Sequence, residues 1–338
     1  MARKPRIEYP GAVYHVMSRG NRLEAIFLDH KDREMFFNTL EEVCTRTGWL
    51  VHAFVLMGNH YHLLVETPTA NLVGGMKWLQ GTYTQRFNAR HKLRGHLFQG
   101  RYKALPVEAD GSDYFSTLSS YIHLNPARAN LFDLKEGALS DFAWSSYPLY
   151  LKPSKRPGWL CVNRVLESFG WTDSVAGRSA YRRMMKKRVV EIACSDVPLD
   201  ADERWSDIRR GWCFGSETFQ QELLDKLDDV IGGKGKRDSF AGQEVRLHDE
   251  AEAERLVCKG LALFKLKDFD LEALPKGAEE KKALVSLLKK QTFVSNKWIV
   301  ARLHAGHPAN IPRYMADVRG AAPESRLCNL AGMLEYED

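Results

Sequence analysis

Two apolar runs joined by a two-residue turn constrain the fold of this chain most strongly. The run LVHAFVLM is followed by Gly58 and Asn59 and then by HYHLLVE. Short apolar runs separated by such a pair are typical of a β-hairpin, because Gly and Asn tolerate the backbone conformations of a tight turn. The sequence therefore predicts two adjacent antiparallel strands in the first part of the chain.

The second strand of this hairpin carries His60 and His62 on one face. Residues i and i+2 of a strand project side by side about 7 Å apart, whereas Tyr61 between them points to the opposite face. Two imidazoles in this arrangement can converge on one metal ion. A His-x-His pair also arises often by chance in a chain with 11 histidines, so a site needs further partners.

The order of the elements around the hairpin indicates an α+β fold. A strand, GAVYHVMSRG, and an amphipathic helix, HKDREMFFNTLEEVCTRTG, precede the hairpin. A glycine-containing helix, NLVGGMKWLQGTYTQRFNARH, a short strand, RYKALPVE, and a third helix, SDYFSTLSSYIHLNP, follow it, and we expect Pro126 to end the third helix. The order β-α-β-β-α-β-α predicts a ferredoxin-like antiparallel sheet with helices packed on one face.

The chain changes character after about residue 150. Only helical patterns follow, and the segment GGKGKRDS has the composition of a linker. We therefore predict an α+β domain over residues 1–150, a helical extension over 151–235 and an all-α C-terminal domain over 236–338. Three closely spaced helical segments, with Ser295 placed to cap the second and Gly306 at the next turn, predict a helix-turn-helix over about residues 278–319.

Composition limits where the protein works. No run approaches the roughly 20 apolar residues that a membrane-spanning helix needs, and the N-terminal segment MARKPRIEYPGAVYHVMSRG has no apolar stretch ahead of a cleavage site. The six cysteines are scattered without a C-x-x-C pair, which argues against a zinc knuckle. We expect a cytoplasmic protein that makes no contact with a membrane.

The positive charge is concentrated in one window of the chain. Between Thr67 and Val107 there are seven basic residues and no acidic one, which accounts for the whole of the formal net charge of +6. A local excess of this kind favours a polyanionic partner, because each Lys or Arg that neutralises a phosphate releases a counterion. We expect nucleic acid to bind along this window.

The third helix supplies groups that can complete a site with the histidine pair. Tyr121 and Asn125 are four residues apart, hence one turn apart on one helical face. An ion held by two imidazoles and an amide oxygen keeps positions open for substrate oxygens. A tyrosine beside such an ion can attack a phosphodiester and form a covalent adduct. Tyr114 lies on the same face and is the alternative nucleophile.

Five blocks in the first part of the chain resemble the REP-associated tyrosine transposases, a group within the HUH single-tyrosine transposases. In chain order they are RIEYPGAVYHVMSRGN, VLMGNHYHLLVETP, GTYTQRFNARH, GHLFQGRYKALPVE and YIHLNPARA, and they cover about residues 5–132. Tyr61 stands where the family usually has a plain hydrophobic residue. The C-terminal segment resembles the helix-turn-helix extensions of longer members of the group.

The resemblance implies a metal-dependent DNA transposase. It implies that His60 and His62 are metal ligands, that Asn125 is the third ligand and that Tyr121 is the nucleophile, with Mg²⁺ or Mn²⁺ as the ion. The implied partner is single-stranded DNA that forms a hairpin, which is nicked and rejoined through a 5′-phosphotyrosine without a nucleotide cofactor. Residues 1–150 are then the catalytic domain, and the helix-turn-helix adds binding of duplex DNA.

Candidate DNA contacts are distributed over both parts of the chain. In the first part they are Arg19, Arg22, Lys77, Arg86, Arg90, Arg101 and Lys103. In the helix-turn-helix they are Lys297, Arg302, Asn310 and Arg313. Pro312 is unusual in a recognition helix, so we expect that helix to begin near Asn310. The basic window also carries aromatic residues that either stack on bases or pack in the core, namely Trp78, Tyr83, Phe87, Phe98 and Tyr102.

Three other interpretations stay open at the level of sequence. The chain can be a DNA-binding regulator that keeps the fold without the chemistry, a nicking enzyme of the replication-initiator HUH type, or an RNA-binding protein with a similar sheet. The presence of His60, His62 and Tyr121 together argues against the first and the third. A cleavage assay separates the first from an enzyme, and competition between DNA and RNA hairpins separates the third.

Overall fold

The computed structural model describes residues 7–109, 113–134, 136–194, 213–232, 244–292 and 294–335. The chain divides into two units, with the boundary between residues 237 and 238. Most of the predicted linker lies outside the described residues. Among the described helices, none is long and apolar enough to cross a membrane.

Four antiparallel strands form the sheet of the first unit. They are β1 (Ala12–Arg19), β2 (Leu50–Leu56), β3 (His60–Thr67) and β4 (Lys103–Val107), in the spatial order β2-β3-β1-β4. The predicted hairpin is the pair β2 and β3, joined through Gly58 and Asn59. In the register, His62 lies opposite Val55 on one side and Met17 on the other, and Met17 lies opposite Lys103.

Two helices cover one face of the sheet. They are α1 (His30–Thr47) and α2 (Leu72–His91). The Asp29 side chain caps α1 by accepting from the Asp32 N–H, which satisfies a backbone donor that the first turn leaves free. Phe36 of α1 lies with its ring centroid 4.8 Å from that of Tyr61 and 5.0 Å from that of Tyr83 of α2. All three rings are fully buried, so they form the core between the sheet and these helices.

The third helix, α3 (Tyr114–Arg128), lies on the opposite face. Its Phe115 ring is 5.1 Å from that of His52, and its Tyr121 ring is 5.7 Å from that of His62. Since His62 and Tyr61 project from opposite faces of β3, α3 and the α1–α2 pair cover the sheet from the two sides.

The α+β class and the antiparallel sheet are confirmed, with two corrections of detail. The sequence placed the helices on one face, whereas α3 covers the other one, because the central strands are apolar on both faces and each face needs a cover. Pro126 was expected to end α3, but the helix continues to Arg128. The proline removes one backbone N–H donor, and the helix ends two residues later.

Short helices and two longer ones complete the first unit. They are α4 (Tyr147–Leu151), α5 (Asn163–Glu167), α6 (Val175–Ala193) and α7 (Glu217–Gly232). His123 of α3 connects this layer to the sheet layer, because its ring nitrogens lie 2.7 Å from the Tyr181 hydroxyl and 2.6 Å from Ser146 Oγ. Burial lowers the pKa of His123 to about 3, so this bridging imidazole is neutral at physiological pH.

The second unit is helical throughout its described residues. Its helices are α8 (Glu244–Leu263), α9 (Asp270–Ala273), α10 (Glu279–Gln291), α11 (Asn296–Arg302), α12 (Ile311–Arg319) and α13 (Arg326–Glu335). Its apolar core includes Leu256, Leu284, Leu288, Ile299, Leu303, Ile311 and Leu327. The buried Lys281 donates to the carbonyl oxygens of Leu274 at 3.0 Å and of His304 at 2.9 Å. This ammonium group therefore ties the turn after α11 to α10.

The three segments of the predicted helix-turn-helix correspond to α10, α11 and α12. The Ser295 side chain caps α11 by accepting from the Trp298 N–H, and Gly306 adopts φ +89° in the following turn. A 3₁₀ turn at Pro308–Asn310 leads directly into α12. Pro312 lies in the first turn of α12, where a missing backbone N–H costs little. Duplex binding by this segment stays a prediction.

Candidate active site

The histidine pair on β3 projects from the face that α3 covers. The ring centroids of His60 and His62 are 5.2 Å apart, and the two rings are nearly perpendicular. His62 is buried, whereas His60 is only half-buried because it stands at the start of the strand. The pair therefore offers one enclosed imidazole and one that substrate can approach.

A short chain of hydrogen bonds fixes the orientation of His60. The Asn59 amide nitrogen donates to the Leu23 carbonyl at 3.1 Å, which turns the Asn59 oxygen toward His60. His60 Nδ1 lies 2.8 Å from that oxygen and must donate to it. The neutral ring then keeps its lone pair on Nε2, which is the atom available to a metal ion.

His62 has a corresponding partner that the sequence analysis missed. His15 Nε2 lies 2.8 Å from His62 Nδ1, and the two rings stack with centroids 5.1 Å apart. His15 is fully buried in β1, and its Nδ1 has no hydrogen-bond partner among the described residues. The block YHVMSRG contains His15, but only the pairing of β1 with β3 brings it to His62.

The three histidines are held neutral by their surroundings. Burial lowers the pKa of His62 well below its ordinary value, and the neighbouring His15 and His60 lower it further. Burial, followed by the charge of Arg19, lowers the pKa of His60. Burial, followed by the charge of Lys103, lowers the pKa of His15 to about 3. Neutral imidazoles keep a lone pair for a metal ion.

Tyr121 is the tyrosine of α3 that faces these histidines. Its ring meets those of His62 and His15 edge-on, with centroids 5.7 Å and 6.0 Å away. The guanidinium carbon of Arg128, seven residues along α3, lies 4.9 Å from the centroid of the Tyr121 ring. Arg128 is a second residue that the sequence analysis did not select, although the block YIHLNPARA contains it.

The other tyrosine and the amide of α3 have separate environments. Tyr114 packs its ring against Phe214, with centroids 4.8 Å apart, and among the described residues its ring makes no contact with His15, His60 or His62. The Asn125 amide nitrogen donates to the Tyr121 carbonyl oxygen at 2.9 Å. This bond leaves the Asn125 side-chain oxygen as the atom available to a ligand.

The donor set fits a metal ion only in part. Within the described parts of the chain, no group of three or more His, Cys, Asp or Glu side chains can hold an ion. His15 contacts His62 through its Nε2 and does not form such a group with the pair. Two neutral imidazoles and one amide oxygen suit a divalent ion that keeps most of its positions for water or phosphate oxygens.

Several of the predicted DNA contacts are engaged within the protein. Arg86 forms a bidentate ion pair with Glu42 at 2.7 Å and 3.0 Å. Arg90 pairs with Asp29 and Asp32. Lys103 and Asn310 are half-buried. The exposed candidates are Arg19, Arg22, Lys77, Arg101, Lys297 and Arg313. Arg302 of α11 pairs with Glu254 and Asp268 in the second unit.

Most of the aromatic residues in the basic window belong to the core. Tyr83 and Phe87 are fully buried, and Phe98 and Tyr102 are buried with 7% of their surface exposed. Trp78 is half-buried. Packing therefore accounts for four of the five rings, and these four do not offer an exposed surface for base stacking.

Comparison with known proteins identifies the class of this domain. Residues 9–125 match the family of IS200-like transposases. The match runs from the segment before β1 to Asn125 and so includes the histidine pair and Tyr121. The family model covers less than half of the chain, and over these residues the resemblance to tyrosine transposases stated from the sequence is confirmed.

The chain is also similar to one solved structure. The chain is similar to a REP-associated tyrosine transposase bound to a REP hairpin, with 15% sequence identity and a TM-score of 0.38. The alignment covers 46% of this chain and 89% of that chain. No curated protein matches this chain in sequence.

Proposed function

We propose that this protein is a DNA transposase that nicks and rejoins hairpin-forming single-stranded DNA through a covalent 5′-phosphotyrosine on Tyr121. One observation carries the proposal: within a domain of a transposase family, Tyr121 lies edge-on to His62 and beneath the Arg128 guanidinium. A phenol beside a cation and a candidate metal site has the surroundings that an activated nucleophile needs.

The proposed reaction is an exchange of one phosphodiester bond for another. The Tyr121 oxygen loses its proton and attacks phosphorus, and the bond from phosphorus to the 3′ oxygen breaks. The 3′ oxygen takes up a proton and leaves as a hydroxyl. The Arg128 charge stabilises the negative charge that develops on the phenol oxygen. The bond energy is kept in the phosphotyrosine, so a 3′ hydroxyl can reverse the step without a nucleotide cofactor.

The metal assignment follows from the free donor atoms. His60 Nε2, His62 and the Asn125 side-chain oxygen are the groups that would hold Mg²⁺ or Mn²⁺. Such an ion, when bound, stabilises negative charge on the phosphoryl oxygens. The residues themselves need neutral imidazoles, and their lowered pKa values supply this condition.

His15 acts in this scheme as a positioning residue for His62. If the His62 Nδ1–H donates to His15 Nε2, the His62 lone pair is left on its Nε2, which can face an ion. Ligating histidines usually donate their other ring N–H to a neighbour in this way, which fixes the tautomer and the ring orientation. The distance of 2.8 Å and the full burial of His15 support this role.

The second unit is assigned to duplex DNA next to the hairpin. Exposed Lys297 and Arg313 belong to α11 and α12, the two helices of the proposed helix-turn-helix. Arg302 is less suited to contact DNA than the sequence predicted, because it pairs with two carboxylates.

The test of the proposed function is cleavage of hairpin DNA taken from the region that flanks the gene. We expect nicking that EDTA stops and that Mg²⁺ or Mn²⁺ restores. His60→Ala and His62→Ala should abolish it, because each removes one of two imidazoles. Cleavage that continues undiminished in EDTA contradicts the metal assignment, and a lack of binding and cleavage with every hairpin contradicts the proposed function.

A further inference from the structure

One face of α6 carries a group of cations to which the sequence analysis gave no role. The helix contains six basic residues and a single acidic one, Glu191. Its buried positions are Gly177, Tyr181, Met185 and Val189, which recur every four residues on one side. On the other side, four basic residues are exposed, namely Arg182, Arg183, Lys186 and Lys187.

The four exposed cations, which we call the α6 stripe, differ from most of the basic residues around them. Arg178 of the same helix pairs with Asp173 at 2.8 Å, and Arg188 lies over the Phe169 ring. Within the parts of the chain that the structure describes, no member of the α6 stripe forms an ion pair or a hydrogen bond. Among the described residues, their charges are therefore not neutralised by a carboxylate.

The α6 stripe brings like charges together on one helix. Arg182 and Lys186 are four residues apart, and so are Arg183 and Lys187, which makes each pair neighbours on the surface. Like-charged pairs at this spacing weaken a helix. Because the stripe does not serve the stability of α6, its concentration of charge is better explained by a polyanionic partner.

The position of α6 relates the stripe to the candidate active site. The Tyr181 hydroxyl, on the buried side of α6, lies 2.7 Å from His123 Nδ1. His123 is two residues beyond Tyr121 on α3. Both Tyr181 and His123 are fully buried, so the contact holds α6 in a fixed relation to the helix that carries the proposed nucleophile.

We propose that the α6 stripe binds the phosphate backbone of the DNA strand that continues beyond the hairpin. The proposal rests on the proposed function, because it takes DNA as the substrate held near Tyr121. Charge complementarity selects this partner: the four cations form two rows, and each row can neutralise successive phosphates without contact to the bases. The stripe then contributes affinity that is independent of sequence and sensitive to salt.

The experiment compares two double variants of the full-length chain with the same change of residue type and charge. Lys186→Gln with Lys187→Gln removes half of the α6 stripe. Lys152→Gln with Lys155→Gln, at exposed positions after α4, is the control. Fluorescence anisotropy measures binding of a labelled DNA hairpin with single-stranded arms over a series of salt concentrations, together with the same hairpin without arms.

We expect the stripe variant to bind the armed hairpin about tenfold more weakly at moderate salt, with a shallower salt dependence. Its binding of the hairpin without arms and its melting temperature should match those of the control. Equal affinities of the two variants for the armed hairpin overturn the proposal, provided that the wild-type chain binds it. A wild-type chain that binds neither hairpin instead overturns the proposed function.

The same measurements test a competing explanation, in which acidic residues of the same chain neutralise the α6 stripe. The segment after α6, which lies outside the described residues, carries acidic residues at positions 196, 200, 202, 203 and 207. If these residues neutralise the stripe within the protein, the stripe variant should lose thermal stability and keep its DNA affinity. That outcome contradicts DNA binding by α6.

Discussion

At the scale of single residues, the candidate site depends on neighbours that fix how His60 and His62 are oriented. Asn59 turns His60, and His15 contacts His62 Nδ1 at 2.8 Å. The Asn59 oxygen places the proton of His60 on Nδ1, and in the proposed arrangement His15 does the same for His62. The orientation of the two imidazoles is therefore set by the β1–β3 pairing and the hairpin turn.

The first prediction at this scale concerns His15. His15→Phe keeps an aromatic ring in the core but removes the nitrogen that faces His62 Nδ1, so in the proposed arrangement Mn²⁺ should bind about tenfold or more weakly. His15→Gln, which keeps an acceptor oxygen, should weaken Mn²⁺ binding less than His15→Phe does. Electron paramagnetic resonance of free and bound Mn²⁺ measures the affinity without any DNA, and circular dichroism checks that both variants fold. Equal Mn²⁺ affinity in His15→Phe and the wild type contradicts the positioning role.

The contrast between His62 and His15 shows what the sequence can predict at this scale. Alternation along one strand is a local property, so His60 and His62 are predicted to share a face from the sequence. His15 is 47 residues away from its partner, and only strand order and register bring the two rings together. Arg128 was missed for a related reason, because an arginine near the end of a helix usually remains in solvent.

At the scale of elements, α2 packs closely against the start of β2. A Cβ atom on Gly75 would lie 2.2 Å from Trp49 Cζ2. Trp49 is buried, and its indole N–H donates to the Asn71 side-chain oxygen at 2.7 Å, so the ring is held in place. The glycine therefore allows the helix to approach the indole ring, and the sequence pattern of α2 does not reveal this contact.

The two glycines Gly75 and Gly81 of α2 should respond in opposite directions to substitution by alanine. A Cβ atom on Gly81 would meet no neighbouring group within 4 Å, so Gly81→Ala should stabilise the protein by about 0.5–1 kcal/mol through helix propensity. Gly75→Ala should destabilise it by about 1–3 kcal/mol, because the methyl group overlaps Trp49. Urea denaturation of the two variants measures both changes. A stabilising effect of Gly75→Ala would contradict the close packing of α2 against Trp49.

The face of the sheet that α3 covers could not be predicted from the sequence. Its existence and its stripe of Tyr114, Tyr121 and Asn125 follow from helical periodicity. The side of the sheet that it covers does not, because β1 and β3 are apolar on both faces and either face can receive a helix. In the folded protein, Phe115 packs against His52 and Tyr121 against His62, which fixes the face.

At the scale of the whole molecule, the distribution of charge along the sequence is an incomplete guide to charge available for binding. The window from Thr67 to Val107 has no acidic residue, yet Arg86 and Arg90 pair with carboxylates of the segment around α1. The α6 stripe lies in a region where acidic residues are close in sequence, and its cations are nevertheless unpaired among the described residues. Pairing depends on contacts between elements, which composition cannot give.

The division of the chain into two units makes a prediction about truncation. A chain that ends at residue 237 should bind a hairpin joined to duplex DNA about tenfold or more weakly, with a shallower salt dependence, because it lacks the proposed helix-turn-helix. Covalent capture of the hairpin should persist at high protein concentration. Lys297→Ala with Arg313→Ala in the full-length chain should give part of the same loss. Unchanged affinity for the duplex-containing DNA after truncation contradicts the assignment of the second unit.

The central claim is that Tyr121 is the nucleophile, and the identity of the tyrosine that becomes linked to DNA tests it most directly. Tyr121→Phe removes one oxygen and keeps the ring that packs against His62 and His15, so folding, metal binding and DNA affinity should stay close to those of the wild type. Tyr114→Phe is the matched control on the same helix, since its ring packs against Phe214 instead.

The measurement is mass spectrometry of the protein–DNA adduct after digestion, for the wild type and both variants. We predict a phosphotyrosyl nucleotide on Tyr121 in the wild type and in Tyr114→Phe, and neither adduct nor nick in Tyr121→Phe. An adduct on Tyr114, or nicking by Tyr121→Phe at the wild-type rate, contradicts the account and indicates a different nucleophile.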